Sequence, residues 1–292
     1  MPNVVVLLST WNGMAFLGEQ IDSVLNQEFG GAITIIVRDD GSRDGSVSYL
    51  RARDPRITVI QGENLGPRDS FLALIDHARG LQADVFALCD QDDVWHPQKL
   101  ARAISHLHQA APALYVSSVD LVDKDLNLIR TYQHPGDQSF ASTLISNYAT
   151  GCTCVFNRAL LDRIPMPGRP ARVLMHDWWL AVVAAAIGKV YYDRASFISY
   201  RQHASNHIGI ASGLGGLARK IWKAMTVAQS VTRFDQAREL EAALRTTLDD
   251  RQSHLLRAFL LSEHSSLRRM WFFLRHARGV GLLAGARFTF LG

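Results

Sequence analysis

Residues 85–93, VFALCDQDD, run from a continuous apolar segment directly into three carboxylates within four positions. A short apolar run bounded by turn residues is typical of a buried strand in a parallel sheet. In sheets of that kind, ligands bind beyond the carboxyl ends of the strands. The stretch therefore predicts a buried strand, Val85–Cys89, which delivers Asp90, Asp92 and Asp93 to a ligand-binding edge.

Strands and helices alternate on both sides of this stretch. Apolar residues recur at helical spacing after the first strand, and Pro67 and Pro97 stand where prolines open helices. The predicted strands are Val4–Ser9, Ile33–Val37, Ile57–Ile60 and Ala113–Ser118, and the predicted helices are Phe16–Leu25, Ser46–Ala52, 67–79 and one from Pro97. The alternation predicts an α/β fold with a mixed, mostly parallel sheet and helices on both faces.

The second half of the chain is less regular, and its end is helical. We expect a polar hairpin near 119–132, helices near 139–147, 158–163 and His176–Ile187, and strands at 152–156, Val190–Tyr192 and Phe197–Tyr200. Residues 213–292 carry helical patterning only. We therefore divide the chain into a catalytic domain, 1–211, and a basic helical region, 212–292.

Composition excludes several classes of protein. Of the 292 residues, 48% are hydrophobic and 20% are charged, which is an ordinary globular balance. Three cysteines cannot pair completely, and they suit a reducing compartment. The apolar runs are too short for a membrane-spanning helix, and the start lacks the pattern of a signal peptide. These features predict a cytoplasmic protein and exclude a polytopic transporter.

Charge is unevenly distributed along the chain. Residues 1–211 carry a net charge of −3 and residues 212–292 carry +7, and no acidic residue follows Glu263. Arginines beside Trp271 and its apolar neighbours suit an interfacial helix on anionic lipid. The alternatives are a helix packed on the catalytic domain with its arginines in solvent, or self-association into a homodimer.

Carboxylates at the ends of two predicted strands are candidates for binding a metal ion and a nucleotide. Hard divalent cations take oxygen ligands, so the Asp90–Asp93 segment suits Mg²⁺ or Mn²⁺ beside a phosphate. Asp39 and Asp40 follow another strand and suit hydrogen bonds from a base or a ribose. The alternative readings are a solvated acidic turn and an Asp/Gly turn that closes a strand.

Two later motifs add candidate groups. In His176-Asp177-Trp178-Trp179, Asp177 can cap a helix and act as general base, and the Trp pair can form a platform for a sugar ring. In Tyr200-Arg201-Gln202-His203, Arg201 suits a phosphate and His203 suits a metal. Helix capping with core aromatics, and a surface loop, are the alternatives.

The ordered set of motifs resembles the inverting nucleotide-sugar glycosyltransferases of family 2, which have the GT-A fold. The motifs are Ser9-Thr10-Trp11-Asn12-Gly13, Asp39-Asp40-Gly41-Ser42, Asn64-Leu65-Gly66, Asp90-Gln91-Asp92-Asp93-Val94-Trp95, Gly151, Phe156-Asn157 and His176-Asp177-Trp178. They cover roughly residues 3–205. Glu19-Gln20-Ile21-Asp22-Ser23, His-Asp-Trp-Trp and Tyr-Arg-Gln-His resemble a bacterial rhamnosyltransferase-like branch.

The resemblance implies a role for each matching residue. The implied nucleotide-sugar contacts are Thr10, Asn12, Asp39, Asp40, Arg68, Asp90 and Gln91, with Asp40 at the base, Asp90 at the ribose and Arg68 near the diphosphate. The implied metal ligands are Asp92 and His203, and Asp177 is the implied catalytic base. Further candidates for contact with sugar or acceptor are Asp93, Trp95, His176, Trp178 and Arg201. One departure is that His176 stands where the family usually has Glu.

The resemblance also implies the reaction and its partners. It implies a metal-dependent, inverting transfer of a sugar, with rhamnose from dTDP-rhamnose as the first expectation and a UDP-linked donor also open. The expected acceptor is a glycan or a lipid-linked glycan of the cell surface, met at the cytoplasmic face of the inner membrane. No nucleic acid partner is expected.

Two other functions are compatible with parts of the sequence. A nucleotidyltransferase also places paired carboxylates on metals, but the chain lacks a glycine-rich, lysine-bearing loop after its first strand. A noncatalytic nucleic-acid binder would use the basic C-terminal region. It leaves the strand-end carboxylates unexplained, because they would repel phosphate.

Overall fold

A nine-stranded sheet lies at the centre of the part of the chain that the computed structural model describes, residues 1–107, 110–134, 136–166, 172–202 and 231–291. The strands are β1 (Asn3–Thr10), β2 (Ala32–Asp39), β3 (Ile57–Gln61), β4 (Val85–Cys89), β5 (Val94–Trp95), β6 (Ala113–Val122), β7 (Leu128–Tyr132), β8 (Val155–Asn157) and β9 (Lys189–Arg201). Their order is β3-β2-β1-β4-β8-β6-β9-β5, and β7 pairs with β6.

The pairing brings three strand ends together. β1 runs parallel to both β2 and β4, with Thr10 opposite Asp39 and Leu8 opposite Cys89. β3 and β9 also pair in parallel, with β2 and β6 respectively, whereas β5, β7 and β8 pair antiparallel. The predicted mixed, mostly parallel sheet is thus confirmed, and its central strands end at one edge.

Two apolar layers cover the sheet because alternate strand residues point to opposite faces. In β1, Val5 and Leu7 pack in one layer, and Val4, Val6 and Leu8 pack in the other. Each of these side chains is at most 4% exposed, and burying one such side chain stabilises the fold by about 1.5–3 kcal/mol. Helices on both faces, as predicted, supply the rest of the two layers.

The helices divide between the layers. α1, α2 and α4 cover one face, and α3, α5, α7 and the C-terminal helices cover the other. Their bounds are α1 (Leu17–Leu25), α2 (Ser46–Arg53), α3 (Gly66–Ala78), α4 (Lys99–Ile104), α5 (Phe140–Ile145), α6 (Arg158–Leu161), α7 (His176–Ile187), α8 (Arg233–Leu244), α9 (Asp250–Leu260), α10 (Ser266–His276) and α11 (Leu282–Leu291).

The C-terminal helices, α8 to α11, pack on the elements that cover one face of the sheet. Phe234, Phe259 and Phe288 form an aromatic stack, with ring centroids 4.8 Å apart for the first pair and 5.5 Å for the second. This stack belongs to the same apolar layer as Phe140 and Trp179. The predicted helical region is confirmed over residues 231–291, and one of its faces takes the packed arrangement that the sequence left open.

Four details differ from the sequence-based expectations. The strand expected at 152–156 begins only at Val155, since Gly151–Thr153 form a 3-10 helix. The two predicted strands at Val190–Tyr192 and Phe197–Tyr200 are one strand, β9, whose register with β6 shifts along its length. The helix after Pro97 begins at Lys99. β5 was not predicted, because two residues show no periodicity; its partner β9 lies more than 90 positions away.

No helix in the described ranges is both long enough and apolar enough to cross a bilayer.

Candidate active site

The loop after β1 is tied to the loop after β4 through Gln91. The Gln91 Oε1 atom accepts hydrogen bonds from the Thr10 hydroxyl and from the Trp11 N–H, both at 2.8 Å. A Cβ atom at Gly13 would lie 2.5 Å from that oxygen, so a side chain there would displace the Gln91 amide. Thr10 and Gln91, both predicted from the sequence, therefore lie together.

Asn12 ties the same loop to the loop after β2. Its Oδ1 accepts a hydrogen bond from the Arg43 N–H at 2.8 Å, and its N–H donates to Ser42 Oγ at 2.8 Å. Asn12 has a φ of +50°, a left-handed conformation that asparagine adopts more readily than most residues. The three strand-end loops thus form one connected edge.

Asp39 and Asp40 are buried at this edge and are held differently. Asp40 forms an ion pair with Arg38 and accepts the Leu65 and Gly66 N–H groups, the latter at 2.8 Å. Asp39 accepts the Gly41 and Ser42 N–H groups through Oδ2. Its Oδ1 is buried and has no hydrogen-bond partner within the described residues.

Arg68 is placed at the start of α3. Its guanidinium pairs with Asp69 at 2.9 Å and also donates to the Val173 carbonyl at 3.2 Å. The hydrogen bond to Asp69 raises the pKa of Arg68. Asp69 and Val173 occupy three of the five N–H donors of Arg68, and its side chain is 29% exposed, so donors remain for a phosphate.

Burial, and then mutual repulsion, disfavour ionisation of Asp90 and Asp93 in the Asp90–Asp93 turn. Burial and the neighbouring charges of Asp92 and Asp177 raise the pKa of Asp90 to about 7. Burial and the charges of Asp92 and Asp90 also raise the pKa of Asp93 well above its usual range. The effect of Asp177 on Asp90 indicates that the turn and the helix α7 face the same site.

A cluster of metal-ligating atoms is present at this turn. One carboxylate oxygen each from Asp90 and Asp93 and the Cys152 Sγ lie within 4.8 Å of one another. Asp92, the predicted ligand, is not part of this cluster, and His203 lies outside the described residues. The Asp93 Oδ2 is buried and has no hydrogen-bond partner within the described ranges.

Arg201 hydrogen-bonds to the Asp90–Asp93 turn from within the protein. Its side chain is 4% exposed; it pairs with Glu19, and its Nε donates to the Asp92 carbonyl at 3.0 Å. Its backbone N–H donates to Asp93 Oδ1 at 3.2 Å. The predicted phosphate contact at Arg201 gives way to a positioning role, because the guanidinium is enclosed and bonded within the protein.

Trp95 also lies beneath the turn. Its side chain is 2% exposed, and the Lys99 Nζ sits 3.9 Å from the centroid of its ring. Burial lowers the pKa of Lys99 to about 8. A core position of this kind leaves no surface for the sugar or acceptor contact suggested for Trp95.

Asp177 lies in the first turn of α7. Its Oδ1 accepts the Trp178 N–H at 2.6 Å, and it also accepts hydrogen bonds from the Asn147 side chain and the Gly151 backbone. Burial outweighs these bonds and raises the pKa of Asp177 to about 6. The predicted capping role is wrong, because Met175 is the N-cap residue and has no side-chain cap bond. A carboxylate with this pKa suits a general base near neutral pH.

His176 is buried beside Asp177 and stacks on Phe71, with ring centroids 4.2 Å apart. Burial lowers its pKa to about 3, so the ring is neutral near pH 7. Neither ring nitrogen has a hydrogen-bond partner within the described residues. A Cβ atom at Gly151 would lie 2.9 Å from His176 Nε2, which explains the glycine that faces the ring.

The two tryptophans that follow do not form a platform together. Trp179 is fully buried, and its Nε1 donates to the Pro165 carbonyl at 2.8 Å. Trp178 is half-buried, and its Nε1 donates to the Thr143 carbonyl at 2.7 Å. The predicted pair is therefore wrong for Trp179, whose ring fills the core, and only Trp178 retains an accessible surface.

Three residues near the site were not predicted. Cys152 lies beside the acidic turn, Asn147 donates to Asp177, and Lys99 sits below the turn. Their sequence positions carry no spacing signal, because folding brings them from separate segments. The cysteine count alone pointed only to a compartment.

Comparison with known proteins identifies the family. The family model described as glycosyl transferase family 2 matches residues 5–164. A dTDP-rhamnosyl transferase, RfbG, of Shigella flexneri is 26% identical over 69% of this chain and 73% of its own length. An uncharacterized glycosyltransferase of Nostoc is 27% identical over 72% of this chain and 68% of its own length.

Solved structures share the fold. TarS of S. aureus, residues 1–349 in complex with UDP-GlcNAc, has a TM-score of 0.60 at 16% identity and covers 94% of this chain and 76% of its own. The mannosyltransferase PcManGT of Pyrobaculum calidifontis, in complex with GDP-Man and Mn²⁺, has a TM-score of 0.51 at 17% identity and covers 99% and 87%. The family model alone matches more than half of the sequence, and the chain is therefore a glycosyltransferase of family 2 with the GT-A fold.

Proposed function

We propose that this glycosyltransferase is metal-dependent and inverting, and that it moves a sugar from a nucleotide diphosphate sugar to a hydroxyl of a cell-surface glycan. One observation carries the proposal: Asp90, at the end of β4, is near enough to Asp177, at the start of α7, for the charge of Asp177 to raise its pKa. The acidic turn and the base thus serve one site.

The reaction is a single displacement. Asp177 takes the proton of an acceptor hydroxyl, whose oxygen attacks the anomeric carbon of the donor sugar. The bond from that carbon to the nucleotide diphosphate breaks, and the diphosphate leaves with the electron pair. Attack opposite the leaving group inverts the configuration, and no covalent enzyme intermediate forms.

The residues of the turn fit a hard divalent cation. Their oxygen donors suit Mg²⁺ or Mn²⁺, and the buried Asp93 Oδ2 has no partner within the described residues. We assign the cation to Asp92, with Asp90 and Asp93 as neighbouring carboxylates and His203 as a further candidate. When bound, the cation neutralises charge on the diphosphate.

The nucleotide lies along the joined loops after β1 and β2. Thr10, Asn12, Asp39 and Asp40 line it in this proposal, with Gln91 below and Arg68 toward the diphosphate. The unpartnered Oδ1 of Asp39 favours Asp39 as the acceptor of the base N–H, since the oxygens of Asp40 already hold Arg38 and two backbone groups.

Donor and location are also proposed. RfbG, named a dTDP-rhamnosyl transferase, supports rhamnose as the donor sugar, with UDP-linked donors as the alternative. We keep 1–211 as the catalytic domain and 212–292 as the basic region; the boundary between them lies outside the described residues. The enzyme then works at the cytoplasmic membrane face, on a lipid-linked acceptor, as a monomer or a homodimer.

Product stereochemistry tests the reaction. Purified protein is incubated with Mn²⁺, a panel of dTDP- and UDP-linked sugars and lipid extract as acceptor, and NMR reports the anomeric configuration of the product. We expect a product of inverted anomeric configuration with one of the donors, and loss of product formation in Asp177→Asn. A product with retained configuration would overturn the mechanism.

A further inference from the structure

An apolar stripe on α10 lies in solvent. Leu267, Met270, Trp271 and Leu274 are 73%, 40%, 52% and 46% exposed. Their spacing of three, four and seven residues places them on one side of the helix. The next helix, α11, carries three further exposed apolar side chains, Leu282, Leu283 and Phe290.

The packing of α10 does not account for this stripe. Its core contacts are made by Phe272 and Phe273, which are 0% and 8% exposed. The helix therefore has a buried apolar face and a second, exposed one. Exposed apolar surface of this extent commonly marks an interaction site.

The charged residues of α10 and of the chain after it are all basic. Arg268, Arg275 and Arg278 are exposed beside it, and no acidic residue follows Glu263 in the sequence. The Arg275 guanidinium lies 5.3 Å from the centroid of the Trp271 ring. Arginine and tryptophan together are characteristic of helices that lie in a lipid headgroup layer.

A groove of about 750 Å³ opens at the edge of the stripe. Its lining combines basic side chains, Arg251 and Arg275, with the apolar side chains of Phe140, Leu255 and Trp271. One carboxylate, that of Asp249, also lines it. Basic and apolar groups in one groove have the chemistry of a site for a phosphate attached to an acyl or isoprenoid chain.

We infer that the stripe and the groove together form a docking surface for an anionic lipid bilayer, with a lipid phosphate in the groove. This inference identifies the surface by which the enzyme binds the membrane in the proposed location. It rests on the proposed function in one respect, namely that the surface serves to present a lipid-linked acceptor. Apolar side chains supply affinity by leaving water, and arginines supply the preference for anionic lipid.

Vesicle binding of the full chain tests the surface. Sedimentation is measured with phosphatidylcholine vesicles that contain or lack phosphatidylglycerol. We expect binding to the anionic vesicles only, and a loss on the order of tenfold in Leu267→Ser/Leu274→Ser. The matched control is Leu128→Ser/Ile129→Ser on β7, which removes side chains 64% and 54% exposed and leaves binding unchanged.

Arg251→Glu tests the groove separately from the stripe. We expect this variant to bind anionic vesicles several-fold more weakly, while inorganic phosphate at millimolar concentration competes poorly, because it lacks the apolar chain. Equal binding to both vesicle types, equal losses in the stripe and β7 variants, or a stripe variant that changes only the oligomeric state would overturn the inference.

Nucleotide binding separates this inference from the proposed function. Thermal stabilisation by dTDP or UDP with Mn²⁺ is measured on the same variants and is expected to be unchanged in all of them. Loss of vesicle binding with nucleotide binding intact concerns the surface alone. Intact vesicle binding without any nucleotide response would contradict the proposed function instead.

Discussion

Two pairs of carboxylates lie at the ends of β2 and β4, the strands on either side of β1, and the fold holds the two pairs in opposite ways. Asp39 and Asp40, after β2, accept four backbone N–H groups between them, and Asp40 also pairs with Arg38. Asp90 and Asp93, after β4, face each other and Asp92, and burial with repulsion raises the pKa of both.

The difference separates a preformed loop from a site that lacks a counter-charge. The β2 loop is stable as folded, because its charges have donors within the chain. In the β4 turn, desolvation and like charges disfavour the ionised forms of Asp90 and Asp93, so a bound cation would stabilise those forms. Asp39 and Asp40 thus fix the shape of the loop after β2, whereas Asp90 and Asp93 favour the binding of a cation.

The largest expected effect comes from Asp177→Asn. The amide cannot accept a proton, so transfer should fall by about 10²–10⁴-fold, the range for loss of a general base. Donor binding, measured by calorimetry, should stay within about twofold, because asparagine preserves the shape. Transfer within tenfold of wild type would remove Asp177 from the role of base.

The next effect concerns the preformed loop. Asp40→Asn leaves the buried Arg38 guanidinium without its counter-charge, and the free energy of unfolding should fall by about 3 kcal/mol. The control is Asp125→Asn, which breaks the exposed pair with Lys124 (side chains 63% and 77% exposed) and should hardly change the urea midpoint. Equal midpoints for the two variants would show that the Asp40 pair carries no special weight.

The pH dependence of transfer gives a smaller, tenfold effect. The pKa of Asp177 is about 6, so kcat/KM should fall about tenfold per pH unit below that value, as the base becomes protonated. His176 should add no limb between pH 5 and 8, because its pKa is about 3. A decrease in kcat/KM that is centred near pH 6 and persists in His176→Gln agrees with this assignment. A decrease centred near pH 4 contradicts it.

The smallest effect concerns the repelling turn. Burial raises the folded pKa of Asp90 from 3.8 to about 7, so ionisation costs stability increasingly between those values and in full above pH 7. Asp90→Asn removes this cost and should raise the free energy of unfolding by on the order of 1 kcal/mol at pH 8, since the carboxyl keeps some solvent contact. The gain should shrink at pH 5, and a loss of stability at pH 8 would show that the turn is not repulsive.

Much of the fold follows from local sequence. The apolar run before Asp90, the helical spacing after the first strand and the proline at position 67 each report a local preference, and all three elements form as expected. β5 and the single strand β9 were not foreseen, because both depend on pairing between distant segments.

The site divides in the same way. Thr10, Gln91, Asp39 and Asp40 were predicted and lie at one edge, because parallel strands end together. Trp95, Trp179 and Arg201 were assigned to ligands, yet burial makes them supports of the site. Whether a side chain faces a ligand or the core depends on the packing of both sheet faces, which no single motif specifies.

Metal-dependent nucleotide binding tests the central claim most directly. Unfolding temperature is measured with dTDP and UDP, each with and without Mn²⁺, on wild type, on Asp92→Asn and on a control, Asp76→Asn, whose side chain is 61% exposed on α3. We predict stabilisation by a diphosphate that requires Mn²⁺, persists in the control and disappears in Asp92→Asn. Stabilisation that is equal without metal, or that survives in Asp92→Asn, would contradict a cation held at this turn.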